Sequence, residues 1–398
     1  MSESSASNEK KWPVDLEVEA LRVPNCTDRN APQSESISLA SVWQMESPEN
    51  ADAALAGTDS SFVYRRDGHP NERTLASKLA KLHGADNALL TAQGMSSLSA
   101  IGLAILKPGA VVWIADELYG QSVNLFAREL EGWGARCESF DPTCAEDLQR
   151  LSQSQCDLVL VETISNPRLK VVDLPQLANL THQAGGLLAV DNTFATHLLC
   201  RPLDHGADIV VESLGKQVNG HSDVMLGLIV AKDPVLHSEI RRRVSTFGLA
   251  SSPLDCYLTQ RGLMTLALRL ERACSNTNEL ANALAEHKNV RAVDYPGLQN
   301  HPQHEQATQM LSGGFGWMLT MHLDAGLPVQ CLFSALAPDI AFVPSLGDVC
   351  TSLSHPETTS HRGYSPEERE RLGIFTGTIR VSCGIEPPEW LVSKFVHA

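Results

Sequence analysis

The chain has 398 residues, of which 43% are hydrophobic, and its formal net charge is -16. This length favours two domains over one, and the acidic charge argues against a general nucleic-acid role and against binding to anionic membranes. The 10 cysteines form no C-x-x-C pair, and Cys156, Cys200 and Cys256 lie in or beside apolar runs, which indicates reduced, buried thiols in a cytoplasmic protein.

The N-terminal segment has no apolar stretch of the kind found in secretory signals. Residues 1–11 are rich in Ser, Glu, Asn and Lys, a composition typical of a disordered tail. Residues 1–60 as a whole show little regular pattern and are interpreted as an N-terminal arm. No apolar run of the chain approaches membrane-spanning length, so we expect no membrane association.

From about residue 60, short apolar runs alternate with helical stretches, which predicts an α/β domain over residues 61–255. The strands are apolar on both faces, so we expect a mostly parallel sheet covered by helices, with ligands at the carboxyl ends of the strands. The predicted strands are 87–91, 110–115, 158–161, 187–190 and 209–211, an apolar run covers 224–230, and the predicted helices include 94–101 and 174–183.

Near Pro253 the pattern changes to that of a smaller α+β domain, which we assign to residues 256–398. Its predicted elements are one long helix over 254–271 and two strand-like stretches over 290–295 and 317–323.

Lys216 carries the clearest chemical signal. It lies on a loop of small and polar residues between the apolar runs 207–211 and 224–230. Burying an ammonium is costly, and the group avoids that cost by losing its proton or by forming a covalent bond. A lysine with a lowered pKa is what a carbonyl-bearing cofactor needs for a Schiff base. The alternative is a lysine that simply reaches water from its loop.

Polar residues also follow two of the other strands. Asp191 ends the strand at 187–190, where its carboxylate could pair with a protonated pyridine nitrogen. It could equally cap the turn through the backbone of Asn192 or Thr193. Asn166 precedes a proline after another strand and could hydrogen-bond a ring hydroxyl, although Asn-Pro is also a plain turn signal.

Two further features fit the same kind of ligand. Gly94 and Met95 start a helix directly after a strand, so their backbone N–H groups could bind phosphate, although such a glycine often serves only the turn. Tyr119 could stack on a flat cofactor or pack on a neighbouring loop. Together with the lysine and the carboxylate, these features match an aldehyde cofactor that has a pyridine ring and a phosphate. No metal ligands are predicted.

These motifs resemble the Cys/Met-metabolism family of pyridoxal-phosphate enzymes, which includes cystathionine γ-synthase, the γ-lyases and the homoserine-ester sulfhydrylases. The resemblance runs from about residue 60 to the C-terminus and implies PLP fold type I, the aspartate-aminotransferase-like α/β fold, with pyridoxal 5'-phosphate (PLP) as cofactor. Its most specific motif is Ser213-x-x-Lys216 followed by 220–223, and the supporting segments are 162–167, 190–196, 261–266, 295–298 and 379–386.

The resemblance also implies roles for individual residues. Lys216 would hold the cofactor and move protons, Asp191 would pair with the pyridine nitrogen, and Tyr119 would stack on the ring and assist proton transfer. The phosphate would be bound by Gly94, Met95 and Ser213.

Other positions concern the substrate and the assembly. Arg380 would bind the α-carboxylate of a small amino-acid substrate, with Ser345 nearby; from the residues alone, Arg380 could instead form a surface ion pair with Glu386. Tyr64 and Arg66 match a pair that in the family reaches the phosphate of a neighbouring subunit, which implies a homotetramer built as a dimer of dimers.

The chain departs from the family pattern close to the cofactor. Gly215 stands where the family often has Thr, so one phosphate hydroxyl is expected to be missing. Gln217 replaces a residue that is usually aromatic, His69 replaces a common Asn, and Gln121 follows Tyr119-Gly120 where the family often has Gly.

The segment 345–361 contains Gly-Asp, His-Pro and a Thr-Thr-Ser-His run, which resembles sulfhydrylases and methionine γ-lyases. Cys350 in this segment is interpreted as a small buried thiol. Three hypotheses follow: γ-replacement on an activated homoserine ester with a thiol, as in cystathionine γ-synthase or homocysteine synthase; a γ- or β-lyase acting on methionine, cystathionine or a related amino acid; and a non-catalytic protein of the same fold, suggested by Gly215 and Gln217.

Overall fold

A computed structural model of the chain describes residues 12–22, 32–324, 326–337 and 339–398. The tail predicted at residues 1–11 therefore lies outside the described residues. In the part of the chain that is described, no helix is both long and apolar enough to cross a membrane.

Seven strands form the larger sheet: β1 (Leu89–Thr91), β2 (Val111–Ala115), β3 (Arg136–Phe140), β4 (Leu158–Glu162), β5 (Leu187–Asp191), β6 (Ile209–Ser213) and β7 (Gly227–Ala231). Their order across the sheet is β1-β7-β6-β5-β4-β2-β3. The neighbouring strands β6, β5, β4, β2 and β3 pair in parallel. Strand β7 pairs antiparallel with both of its neighbours, β1 and β6. Strands β4 and β7 are buried at every residue, as the two-sided apolar runs predict.

Three helices come before β1 in the chain, and the other helices of this part alternate with the strands of the larger sheet. In chain order, these helices are α1 (Val14–Leu21), α2 (Pro48–Leu55), α3 (Pro70–Leu82), α4 (Gly94–Ile105), α5 (Gly120–Asn124), α6 (Ala145–Ser152), α7 (Leu174–Gln183), α8 (Thr196–Leu199) and α9 (Pro234–Thr246). A π-helical segment, Leu125–Glu129, continues α5, and short 3-10 turns cover Arg65–Asp67, Glu131–Trp133 and Pro202–His205.

The second sheet has five strands and its own apolar core. The strands are β8 (Val290–Asp294), β9 (Met318–Leu323), β10 (Ala341–Phe342), β11 (Ser352–Ser354) and β12 (Thr378–Ser382), in the order β10-β11-β12-β9-β8. The helices of this part are α10 (Pro253–Leu263), α11 (Leu266–Ala285), α12 (His304–Met310), α13 (Val329–Leu336), α14 (Pro366–Arg371) and α15 (Pro388–Val396), and a 3-10 turn covers Pro356–Thr358.

The predicted fold class is confirmed, but several predicted elements are wrong. The arm is not irregular, because α1 and α2 lie within it. The apolar run at 224–230 becomes a strand only from Gly227, and β3 was not predicted because its burial is mixed along its length.

The single helix predicted over 254–271 is two helices that are separated at Met264 and Thr265. A tertiary contact made by Arg269 lies at this break. Its guanidinium donates to the carbonyl oxygens of Gly262 (2.7 Å), Gln217 (2.8 Å) and Val218 (3.0 Å). Amphipathic periodicity does not report such a break, because the apolar pattern continues across it.

Contacts between the two sheets form the wall of the functional site. The indole of Trp317 donates to the carbonyl oxygen of Phe194 at 2.8 Å. Gly347, with φ 83°, approaches the lysine loop so closely that a Cβ there would lie 2.7 Å from the backbone nitrogen of Gln217. Only a glycine allows both this conformation and this approach. The second sheet is thereby held against the loop that carries Lys216.

Candidate active site

A cavity of about 920 Å³ opens where the carboxyl ends of β4, β5 and β6 face the second sheet. Parallel strands deliver the side chains that follow them to one edge, which explains why residues far apart in sequence meet there. Nine of the predicted site residues line this cavity: Gly94, Met95, Tyr119, Asn166, Asp191, Ser213, Lys216, Ser345 and Arg380.

Lys216 lies inside the cavity and does not simply extend into water. Its Nζ donates to Ser345 Oγ at 2.9 Å. Burial, and then the positive charge of Arg380, lower the pKa of the Lys216 ammonium below its ordinary value. An amine with a lowered pKa is more readily available as a nucleophile.

Asp191 caps the turn after β5, and its pairing with a pyridine nitrogen stays a prediction. Its Oδ1 accepts from the Thr193 backbone N–H (3.0 Å) and hydroxyl (2.5 Å), so it does cap the turn. Its side chain also lines the cavity, and among the described residues no donor reaches Oδ2. Burial raises the pKa of this carboxyl to about 6, even though the Thr193 hydrogen bonds lower it. A cation placed at Oδ2 would offset that cost.

Glu162 is a cavity residue that the sequence analysis did not select. It stands opposite Asp191 in the register between β4 and β5. Its Oε1 accepts from the backbone N–H of Tyr119 at 2.8 Å, and its Oε2 is buried without a hydrogen-bond partner among the described residues. Burial, and then the charge of Asp191, raise the pKa of Glu162 well above its usual range. The signal was available, since Glu162 ends a buried strand just as Asp191 does.

Arg380 does not form the ion pair with Glu386 that was considered from the residues alone. Its Nε donates to Ser354 Oγ (3.0 Å) and its Nη1 donates to Asn166 Oδ1 (2.6 Å), whereas Glu386 accepts from Thr351. Burial lowers the pKa of Arg380 to about 10, so the guanidinium stays charged at neutral pH.

These hydrogen bonds position Arg380 for a ligand. No hydrogen bond of the described residues uses its Nη2, and the side chain lines the cavity. Asn166 holds the guanidinium through Oδ1, and no hydrogen bond of the described residues uses its Nδ2, so its contact with a ring hydroxyl stays a prediction.

The start of α4 has the form of a phosphate site. Gly94 and Met95 are the first two residues of this helix, whose first N–H groups have no partner within it. A Cβ at Gly94 would lie 3.0 Å from Ser213 Cβ, so the glycine brings the helix start against that serine.

The departure at Gly215 has a steric cause. A Cβ at this position would lie 2.3 Å from the carbonyl oxygen of Val224. A threonine could not stand there unless the backbone moved, so the hydroxyl expected from the family is replaced by a close backbone contact.

The other three residues that differ from the family pattern are either buried in the structure or part of the cavity wall. Gln217 is buried, and its carbonyl accepts from Arg269. His69 is buried and caps α3 by accepting from the Glu72 backbone N–H at 3.2 Å. Gln121 lines the cavity.

Tyr64 and Arg66 are the two predicted residues that do not line this cavity. Both are exposed, and the Arg66 guanidinium lies 5.1 Å from the centroid of the Tyr64 ring. Within one chain, therefore, the structure does not bring this pair to the site.

Residues from the segment 345–361 form the outer part of the cavity, together with Arg362. The residues that line it there are Ser345, Leu346, Thr358, Thr359, Ser360 and Arg362. Cys350 is exposed, so the interpretation of a buried thiol is wrong. Cys156, Cys200 and Cys256 are buried and unpaired as predicted.

Comparisons with known proteins agree with this geometry. The family profile described as Cys/Met metabolism PLP-dependent enzyme matches residues 19–398. An L-methionine gamma-lyase of Fusobacterium nucleatum subsp. polymorphum is 33% identical over 360 residues, which cover 89% of this chain and 90% of that protein. An O-succinylhomoserine sulfhydrylase of Pseudomonas aeruginosa is 32% identical over 352 residues, covering 88% and 87%.

Among solved structures, the cystathionine gamma synthase from Xanthomonas oryzae pv. oryzae in complex with cystathionine superposes with a TM-score of 0.88. It is 33% identical in sequence, and the match covers 96% of each chain. Proteins with three different reported activities thus match at nearly the same identity, so sequence identity alone does not separate the reactions.

We predict that Asp191→Asn stabilises the ligand-free protein at alkaline pH. The folded-state pKa of about 6 lies above the ordinary value of 3.8, so the wild type loses stability as the pH rises through that range. The variant avoids this loss, and its relative gain should be about 3 kcal/mol above pH 7, because the folded-state pKa of about 6 lies roughly two pKa units above 3.8 and one pKa unit corresponds to about 1.4 kcal/mol. The measurement is the free energy of unfolding of both proteins from pH 4 to pH 8.

Asp157→Asn is the matched control for this experiment. Asp157 also accepts a strand N–H, from Val111 at 2.8 Å, but it is exposed, so the same change should give no comparable gain. An equal pH dependence of Asp191→Asn and the wild type would contradict the prediction.

Proposed function

The chain belongs to the Cys/Met metabolism family of PLP-dependent enzymes, and from that premise we propose that it catalyses a γ-replacement in which a thiol displaces the leaving group of an activated homoserine ester. The enzyme class and the PLP cofactor follow from the family. The hypothesis of a non-catalytic protein is thereby set aside. One observation carries the finer proposal: the cavity that holds Lys216, Asp191 and Arg380 also presents a second guanidinium, Arg362, at its outer end.

The residues of the cavity fit the cofactor. The free Oδ2 of Asp191 would meet the positive pyridine nitrogen, and the first N–H groups of α4 with Ser213 would hold the phosphate. Lys216 would hold the aldehyde carbon. When bound, PLP supplies an electron-deficient ring that makes the C–H bonds of an attached amino acid acidic.

Proton transfer is assigned to Lys216 and Tyr119. Lys216 Nζ hydrogen-bonds Ser345, so the amine is positioned on the side of the second sheet, where it could take a proton from Cα of the substrate. Tyr119 is held through its backbone by Glu162, and its side chain lines the cavity with 42% of its surface exposed. That accessible ring could stack on the cofactor and pass a proton.

Substrate binding is assigned to Arg380 and Ser345. The Ser354 and Asn166 hydrogen bonds immobilise the guanidinium before a ligand arrives, so its free edge could bind the α-carboxylate at low entropic cost.

We also propose that the active enzyme is a homotetramer, because exposed Tyr64 and Arg66 would complete the phosphate site of a neighbouring subunit. Analytical ultracentrifugation that found a PLP-loaded monomer would contradict this arrangement. A cytoplasmic location remains our proposal, supported by the unpaired, buried cysteines.

Lys216→Ala is expected to abolish covalent attachment of PLP. Borohydride reduction followed by peptide mapping should place the pyridoxyl group on the peptide that contains Lys216 in the wild type. Lys232→Ala, which removes an exposed lysine, should give the wild-type map. An adduct on any other lysine of the wild type would refute the assignment.

Arg362 favours substrates that carry a second carboxylate. Its side chain is exposed at the cavity, and none of the ion pairs formed by the described residues includes it. An O-succinyl ester, or cysteine as the thiol, would bring a carboxylate to that end, whereas an acetyl ester or sulfide would not. We therefore propose an acidic ester or an acidic thiol as the preferred reactant.

Elimination by a γ- or β-lyase is the second candidate. The cavity opens to solvent beside Tyr119, so water can reach a reacting side chain, and relatives of equal identity carry lyase names. The two reactions differ in what happens when no thiol is present.

The deciding experiment incubates the PLP-loaded protein with O-succinylhomoserine and with O-acetylhomoserine, each with and without cysteine or sulfide. We expect a thioether or homocysteine product in the presence of the thiol, and only slow keto-acid formation without it. Keto acid formed at the full rate without any thiol would identify a lyase and would rule out γ-replacement as the main activity.

Arg362→Gln should raise the KM for the reactant that carries the second carboxylate about three- to fivefold, because an exposed ion pair contributes at most about 1 kcal/mol. The KM for acetyl ester with sulfide should not change. Arg371→Gln, an exposed arginine of α14 outside the cavity, is the control and should leave all values unchanged. Equal effects of Arg362→Gln on both substrate pairs would refute the assignment.

A further inference from the structure

Behind the cavity, three buried side chains from distant parts of the chain face one another. His83 directly follows α3, His197 lies in α8 and Glu212 lies in β6. Each is at most 1% exposed. One ligand atom from each residue lies within 4.8 Å of those of the other two. The Nε2 of His83 is 3.4 Å from Glu212 Oε1, and the two imidazole rings meet edge to face with centroids 5.5 Å apart.

These groups lack the hydrogen bonds that buried polar atoms normally have. Both ring nitrogens of His83, both ring nitrogens of His197 and Oε2 of Glu212 are buried without a partner among the residues that the structure describes. Folded proteins contain few such atoms, and each costs about 1–3 kcal/mol when nothing satisfies it. Five of them in one place indicate that something else occupies the space between them.

We propose that His83, His197 and Glu212 bind a divalent transition-metal ion, with Zn²⁺ as the best match. Two imidazoles and one carboxylate are donors that zinc accepts. Neighbouring ligand atoms around a tetrahedral zinc lie about 3.3 Å apart. The separation of 3.4 Å between His83 and Glu212 agrees with that value.

A second shell of hydrogen bonds orients the carboxylate. The amide of Asn192 donates to Glu212 Oε1 and to the carbonyl oxygen of Cys200, both at 3.0 Å. Its own Oδ1 accepts from Thr163 at 2.7 Å. The Asn192 amide uses one lone pair of Oε1, so the other lone pair of that oxygen and the whole of Oε2 stay available to a metal ion, which is the arrangement that supports a metal-binding carboxylate.

A simple ion pair between His83 and Glu212 explains less. The separation of 3.4 Å is not a well-formed hydrogen bond, and the pair would leave His197 with both of its nitrogens unsatisfied. A metal ion satisfies all three side chains at once. It would join the end of α3, helix α8 and strand β6, so its role would be structural and independent of the reaction catalysed at the cavity.

The experiment measures the metal content of the purified, PLP-loaded, tag-free enzyme by inductively coupled plasma mass spectrometry. We expect about one zinc per chain. Crystals measured above and below the zinc absorption edge should show an anomalous peak between the three side chains. Dipicolinate should remove the metal and lower the melting temperature by several degrees, and Zn²⁺ but not Mg²⁺ should restore it.

Glu212→Gln tests the assignment, because it keeps the acceptor for Asn192 but removes the charge, and it should lose the metal. If that variant does not fold, His197→Gln serves the same purpose. His182→Gln is the matched control, since His182 forms an exposed pair with Asp208 at 2.9 Å and its loss should leave the metal content unchanged.

Absence of metal from the purified enzyme, with no uptake from added Zn²⁺ and only water density between the three side chains, would overturn the proposal. An anomalous peak at cysteines or at the surface, with none at the cluster, would overturn it equally.

Discussion

Charge buried at one edge of a parallel sheet is the constraint on which the rest of this structure depends. Lys216, Arg380, Asp191 and Glu162 line one cavity, and burial acts against the charged form of each. The pKa values of the two bases are lowered and those of the two acids are raised, as desolvation requires. In the proposed function, a ligand with complementary groups would offset this cost: a pyridine nitrogen at Asp191, a carboxylate at Arg380 and an aldehyde at Lys216.

Both sheets are needed to maintain that arrangement. The larger sheet delivers Asp191, Glu162 and the lysine loop to one edge, and the second sheet supplies Arg380 from β12. Close approach at Gly347 and the bond from Trp317 to Phe194 hold the two sheets together. The groups are thus positioned before any ligand binds, which reduces the entropy lost on binding. In the buried cluster, Glu212 lies on β6 of the larger sheet, whereas His83 follows α3 and His197 lies in α8.

Three predictions made from the sequence were incomplete or wrong, and each concerns a contact between residues that are far apart in the chain or the exposure of a side chain. Asp191 was selected because it ends a buried strand, but Glu162 shares that property and was not selected. Only the pairing of β4 with β5 reveals that the two acids face each other. The single helix predicted over 254–271 is interrupted, and at the interruption Arg269 donates to carbonyl groups some fifty positions earlier in the chain, a contact that local periodicity does not encode. Cys350 was expected to be a small buried thiol, but its side chain is exposed although Gly347 and Thr351 of the same loop are buried.

The sequence by itself determined the α/β fold class, the PLP cofactor and nine of the residues that line the cavity, because local periodicity and short motifs encode them. The tertiary structure alone decided what those residues touch: Asn166 holds Arg380, Gly215 leaves no room for a threonine, and three residues at positions 83, 197 and 212 converge in the core. Such contacts depend on how strands pair and how sheets pack. No spacing along the chain reports them, since their partners are separated by tens to hundreds of residues.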